Sequence, residues 1–375
     1  MLKTAEAVHG IVNRAQHTLF GYQGWGSVCR DENGTLYAVS SAFRVNHICP
    51  FGKTALYVSR DGGRSWTPPI VLNDSYLDDR DAGIVYLGGG RLLVSWFTHS
   101  ADFYLHTRYT DTIRRTGPTE TGPVAGMLAM YPMLPASESH GGSYVRISED
   151  YGVTWSEKVQ LPVSAPHGPT LCRDGTLLYL GKELYAGTME NPGIPKGVIA
   201  AFASADSGKS WQLRGICEKP ASLSWENFYE PHVIELDDGR LLGMIRAQGE
   251  EVAHGFTMVS TFSDDGGRTW SEYRPTGVCG APPHLLQHSS GALICAFGRR
   301  QEPTGERALV SYDRGETWED EYILNENTVD RDLGYPCSVE LDDGRILTVY
   351  YQKYRDDSAG VRDAKCSLLY TVWKL

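Results

Sequence analysis

Short apolar runs broken by Asp, Asn, Ser and Gly recur along the whole chain, and no segment carries the 3.6-residue period of an amphipathic helix. Six segments share one pattern of apolar run, glycine turn, apolar run: "VCRDENGTLYAVS", "IVYLGGGRLLVSW", "TLCRDGTLLYLG", "VIELDDGRLLGMI", "LLQHSSGALICAF" and "SVELDDGRILTVY". Asp-Gly and similar dipeptides between β-rich runs predict hairpins. The turn glycines are Gly34, Gly90, Gly175, Gly239, Gly291 and Gly344, each interval close to one four-stranded unit. The longest interval, Gly90 to Gly175, holds an insertion over about 109–142, rich in Thr, Gly, Pro and Met.

A second repeat runs out of phase with the first. The pattern S-x-D-x-G-x-x-W occurs as "SRDGGRSW" (59–66), "SEDYGVTW" (148–155), "SADSGKSW" (204–211), "SDDGGRTW" (263–270) and "SYDRGETW" (311–318). A repeated unit at this spacing signals an array of supersecondary modules. Each of the first five hairpins is followed by one octapeptide and the sixth by a last strand, "CSLLYTVWKL". Six small sheets without helices protect their edges best by closing into a ring. The expectation is an all-β, six-bladed β-propeller over residues 1–375 as a single domain, with the insertion in blade 2 and N-terminal residues joining the last blade. In that frame each octapeptide is a turn between a blade's two outer strands. Its glycine allows positive φ, its aspartate accepts backbone N–H groups, and its tryptophan packs between blades.

Composition narrows the function classes. Net charge is −11, with acids and bases interspersed, which argues against a nucleic-acid partner. No run of apolar residues is long enough to span a membrane. The N-terminus has no signal-peptide core, so a cytoplasmic location is expected; secretion would need a leader outside this sequence. Eight scattered cysteines show no metal spacing, and His284 and His288 fall on a strand and its turn. Neither a metal nor another cofactor is expected. Oligomeric state is not set by the sequence.

A propeller's site forms at the channel mouth where the innermost strands begin. Nine residues back from each turn glycine stand Trp25, Asp81, Pro166, Glu230, Pro282 and Tyr335; seven to nine forward stand Arg246, Arg299 and Arg300. Carboxylates, a tyrosine and arginines thus converge from separate blades. Arginine forks suit a substrate carboxylate.

The octapeptides are Asp-boxes, and nearly the whole chain resembles the sialidase (neuraminidase) superfamily of BNR-repeat propellers. In "ENFYEPHVIELDDGRLLGMIR", Glu230 and Arg246 match that superfamily's glutamate and arginine; in "DLGYPCSVELDDGRILTVYYQ", Tyr335 matches its nucleophilic tyrosine. In "CAFGRRQEPTGERALV", Arg300 is the best match to a carboxylate-binding arginine, with Arg299 and Arg307 as competitors. The resemblance implies a glycoside hydrolase in which Glu230 is the base for Tyr335, and Arg246 and Arg300 orient a carbohydrate substrate. A neutral phenol brings no full negative charge against an anionic sugar.

The chain is an atypical member. An arginine in an "RIP"-like motif is usual at the first inner strand, where this chain has "YQGWGSV", with Gly24 and Trp25 at the place. In "FRVNHICPFGK", Arg44 is kept but Pro50 stands near the position of the acid/base aspartate. Replacements are expected from "LDDRDAGI": Asp81 as acid/base, with Asp79 and Arg80 beside it on the substrate. His167 faces the same mouth, and Trp25 is placed to stack on a sugar. The expected function is a sialidase-like exo-glycosidase acting on a terminal, acidic or atypical sugar. A non-catalytic glycan-binding propeller, and a polysaccharide lyase using His167 and Tyr335, remain open.

Overall fold

The computed structural model describes residues 1–107, 109–114, 116–184 and 193–375. Six antiparallel sheets make a six-bladed β-propeller. Blade 4 shows the plan: Phe228–Glu235 lines the channel, followed outward by Leu241–Gln248, Phe256–Ser263 and Arg274–Cys279. The first hairpin of each blade turns at the glycine that the repeat predicts, and Gly34, Gly90, Gly175, Gly239, Gly291 and Gly344 all have φ between +76° and +89°. Glycine takes that conformation without the steric cost a Cβ brings.

The cores lie between blades as well as within them. One cluster joins Leu36, Ala38 and Tyr57 of blade 1 to Leu347, Val349 and Leu368 of blade 6, with Trp66 packed against it. Closure uses the N-terminus. Ala7–Asn13 is the outermost strand of blade 6, pairing with Val361–Trp373. Beyond the expectation, Leu2–Thr4 adds a parallel strand to blade 5.

The five octapeptides form turns of one design. Asp61 accepts the Ser65 backbone N–H (2.9 Å) and the Ser65 hydroxyl (2.6 Å). Trp66 Nε1 donates to the Gly63 carbonyl at 3.0 Å. Asp150, Asp206, Asp265 and Asp313 repeat the aspartate contacts. These bonds hold the Asp61 and Asp265 carboxyls down at about 2. The polar octapeptides are therefore architecture, at the end of the blades away from the inner-strand starts.

One expectation is corrected: helices are present. Between Thr98 and Gly142 of blade 2 the chain forms Tyr109–Arg114, Thr121–Met130 and Ala136–Ser139. In "TGPVAGMLAM" the strong helix formers Met, Leu and Ala gather in the second half, after a first turn that holds Pro123. The helix buries only Val124 and Leu128, too few positions to show a period. The segment docks as a satellite core of Val45, Cys49, Phe51, Leu77, Tyr104, Val124, Leu128 and Tyr131. The insertion thereby packs behind Tyr104, which lines the cavity at the channel mouth.

Candidate active site

The inner strands enter the mouth through an unusual backbone. Trp25, Asp81, His167, Glu230 and Tyr335 all have φ between +49° and +73°. In blades 1, 2, 4 and 6 the pairing register shifts at this point. A bulge with a non-glycine residue in the left-handed region re-aims one side chain, at a cost of about 1–3 kcal/mol each. In blade 5 the corresponding Pro282 cannot adopt this conformation, because its ring fixes φ near −65°.

The mouth holds a cavity of about 380 Å³ lined by His47, Arg80, Asp81, Glu230, Arg246 and Tyr335 among others. At its centre the Tyr335 hydroxyl donates to Glu230 Oε1 at 2.5 Å. Arg246 Nη1 donates to Glu230 Oε2 at 2.6 Å and reaches the Tyr335 oxygen at 3.5 Å. Gln248 takes the rest of the Arg246 fork, at 3.1 Å to Nε and 2.5 Å to Nη2. Burial, and then the charges of Glu230 and Asp81, push the Tyr335 phenol well above its ordinary range, although Arg246 and Arg300 pull it down. Tyr335 therefore rests neutral with its proton directed at a carboxylate.

Arg300 lies over the Tyr335 ring, Cζ to centroid 5.6 Å. Its Nε donates to the Leu333 carbonyl at 3.1 Å, and its buried Nη2 has no partner among the described residues. Asp81 is buried, and among the described residues its Oδ1 has no partner. Burial lifts its carboxyl to about 7, with Arg80 opposing the rise and Glu230 adding to it. Arg80 lines the cavity and stacks on Trp25, Cζ to centroid 4.0 Å.

Several expected contacts are placed elsewhere. Trp25 is only 1% exposed, the platform under Arg80 and Arg44 rather than a sugar-stacking face. Arg44 is fully buried, paired through both Nη atoms with Asp78. Asp79 is buried against Asn73 (2.8 Å) and Ser75 (3.0 Å), outside the cavity lining. Arg307 is buried and pairs with Glu326. His167 bonds Ser27 at 2.9 Å and packs against His232 and His284 in the channel. It does not line the cavity, which removes the base from the lyase alternative.

Other residues were not singled out from the sequence. His47, on the loop after Arg44, lines the cavity; its Nδ1 is 2.9 Å from Asp332 Oδ1, and Tyr22 bonds both. Lys182 lines the cavity with Nζ on the Trp225 (2.7 Å) and Phe228 (2.8 Å) carbonyls, and burial lowers it to about 8. Phe97, Phe103 and Tyr104 form an aromatic wall supplied by the second strand of blade 2 and the segment that follows it. His47 and Asp332 stood inside "FRVNHICPFGK" and "DLGYPCSVEL", but nothing in either stretch joins one to the other.

A family model described as a BNR repeat-like domain matches residues 126–346, and the chain belongs to that family. Among solved structures, a protein of unknown function from Dyadobacter fermentans is 19% identical with a TM-score of 0.75, covering 99% of this chain and 98% of that one. The NanB sialidase from Streptococcus pneumoniae is 13% identical with a TM-score of 0.69 (97% of this chain, 70% of that one). The intramolecular trans-sialidase from Ruminococcus gnavus is 16% identical with a TM-score of 0.64 (96% of each). This chain shares their fold, the six-bladed propeller of sialidases. No curated protein matches the sequence.

Proposed function

We propose that this protein is a sialidase-like exo-glycosidase that removes a terminal acidic or atypical sugar. Tyr335 is the nucleophile: its oxygen attacks the anomeric carbon while its proton passes to Glu230. Asp81, protonated up to about pH 7, gives a proton to the departing oxygen. Arg80 and Arg246 line the cavity and set positive charge around the bound sugar, and Arg300, outside the lining, adds its charge from over the Tyr335 ring.

What carries this reading is the 2.5 Å contact between the neutral Tyr335 phenol and Glu230, with Arg246 on the carboxylate's other oxygen. A purely architectural tyrosine would not need a strained backbone, a carboxylate acceptor and a cavity at once.

The test uses 4-methylumbelliferyl glycosides, beginning with the ketoside of N-acetylneuraminic acid. Tyr335→Phe and Glu230→Gln are each expected to lower kcat by about 10³-fold or more with the melting temperature kept. Full kcat in either variant overturns the assignment. Tight calorimetric binding of a sugar with no turnover would instead identify a glycan-binding propeller.

A further inference from the structure

In the loop that follows Arg44, His47 and Ile48 line the cavity, so His47 is the titratable group that this loop offers a bound substrate. Its backbone carbonyl is held by Arg44 Nη2 (3.0 Å) and Arg80 Nη1 (3.3 Å). Its ring stands edge-on to Trp25, centroids 5.0 Å apart. Nδ1 is committed to Asp332 Oδ1 at 2.9 Å, with the Tyr22 hydroxyl 3.0 Å from both Asp332 oxygens. Among the described residues Nε2 makes no hydrogen bond, and the side chain is 32% exposed. This fixed, half-exposed ring belongs to the same cavity as Tyr335 and Asp81.

We propose that His47 is the general base that activates the hydrolytic water, with Asp332 and Tyr22 as its positioning residues; the proposal rests on the glycosidase reading above. A carboxylate on Nδ1–H leaves the lone pair on Nε2 and stabilises the imidazolium once it forms. In the first step the Tyr335 oxygen bonds to the anomeric carbon and the bond to the leaving oxygen breaks. Asp81 gives that oxygen a proton, and Glu230 takes the proton of Tyr335. In the second step a water oxygen bonds to the anomeric carbon as the bond to Tyr335 breaks. Glu230 returns its proton to Tyr335, and Nε2 takes one from the water. Solvent then carries that proton from His47 to the Asp81 carboxylate, restoring the start.

The surroundings divide the labour in this sense. Burial keeps the His47 ring below its usual range, with Asp332 pulling it back up and Arg80 and Arg300 pushing it down. Asp81 is raised. Burial thus favours the protonated form of Asp81 and the neutral form of His47, environments that push two titrating groups apart into complementary roles.

The experiment compares His47→Gln and Asp332→Asn with wild type on whichever 4-methylumbelliferyl glycoside the wild type hydrolyses. In His47→Gln, kcat is expected to fall about 100-fold while the first-turnover burst of methylumbelliferone stays near wild type. Intact-mass spectrometry should then show a sugar accumulating on Tyr335. Azide, a nucleophile with no proton to lose, should restore turnover. Asp332→Asn should fall less steeply and respond to azide too. Unchanged kcat in His47→Gln, or a slowed burst without azide rescue, overturns the proposal while leaving the glycosidase reading intact. A wild type that hydrolyses no glycoside removes both. Independently of any substrate, ¹⁵N spectra at pH 7 should show the Nδ1–H tautomer; an Nε2–H tautomer overturns the proposal.

Discussion

Three aspartates within four residues meet three different fates. Asp78 is fully buried, and although burial raises its carboxyl, Arg44 and Arg80 hold it below the ordinary range. Asp81 turns into the cavity. Among the described residues Asp79 has no cationic partner at bonding distance, and burial lifts it to about 7, with the bonds from Asn73 and Ser75 opposing the rise. A raised folded-state value means that the folded chain keeps this proton while the unfolded chain releases it near pH 4. The Asp79 contribution is therefore complete below about pH 4 and is lost as pH rises to about 7. Asp79→Asn lacks this dependence, so its melting temperature relative to wild type should climb between pH 4 and 7 and level off above. A flat difference by calorimetry would refute the assignment. The sequence showed all three carboxylates but not their destinies, because spacing locates a Cα and not the partner that claims the side chain. Glu230 and Tyr335 were legible because the turn glycine sits nine residues from each. Arg44, Trp25 and His167 were misread for want of Asp78, Arg80 and Ser27. His47 and Asp332, 285 residues apart, meet only when the ring closes.

At the scale of elements, the octapeptide turns join blade to blade. Gly63 has φ +89°, and a Cβ there would stand 2.6 Å from Leu347 Cδ1 of blade 6. Gly63→Ala combines backbone strain with a clash across the blade interface, so stability should fall by about 1–3 kcal/mol. Denaturant melts measure that loss, and because the turn lies away from the mouth, kcat should not move with it. Such elements are readable in advance, since their bonds run within eight residues and the glycine, aspartate and tryptophan are fixed by local geometry. The insertion is the opposite case. Its helices are held by contacts to Val45, Phe51 and Leu77, and Tyr104 reaches Asp78 at 2.6 Å. That support lies in other parts of the chain, so neither the helices nor their place beside the cavity could be read from "TGPVAGMLAM" alone.

For the molecule as a whole, the ring is closed by an N-terminal strand whose Val12 joins the core between blades 1 and 6. Ala7–Asn13 pairs with Val361–Trp373, and Leu2–Thr4 with Asp320–Asn325. Removing residues 1–13 should lower the melting temperature by about 10 °C or more and abolish turnover in the same variant, because Tyr335 comes from blade 6 and Glu230 from blade 4. A truncated chain that keeps both would show that the ring holds without its closing strand. The number of blades was legible because repetition supplies its own ruler; the meeting of blades at the axis was not, since no local pattern records it. The left-handed residue at the start of five inner strands has one more consequence. Tryptophan, aspartate, histidine, glutamate and tyrosine all occupy that socket, so the backbone accepts chemically unlike side chains without being rebuilt. A ring of this kind can be retooled one position at a time: the frame repeats from blade to blade, and a change of chemistry takes a substitution rather than a new fold.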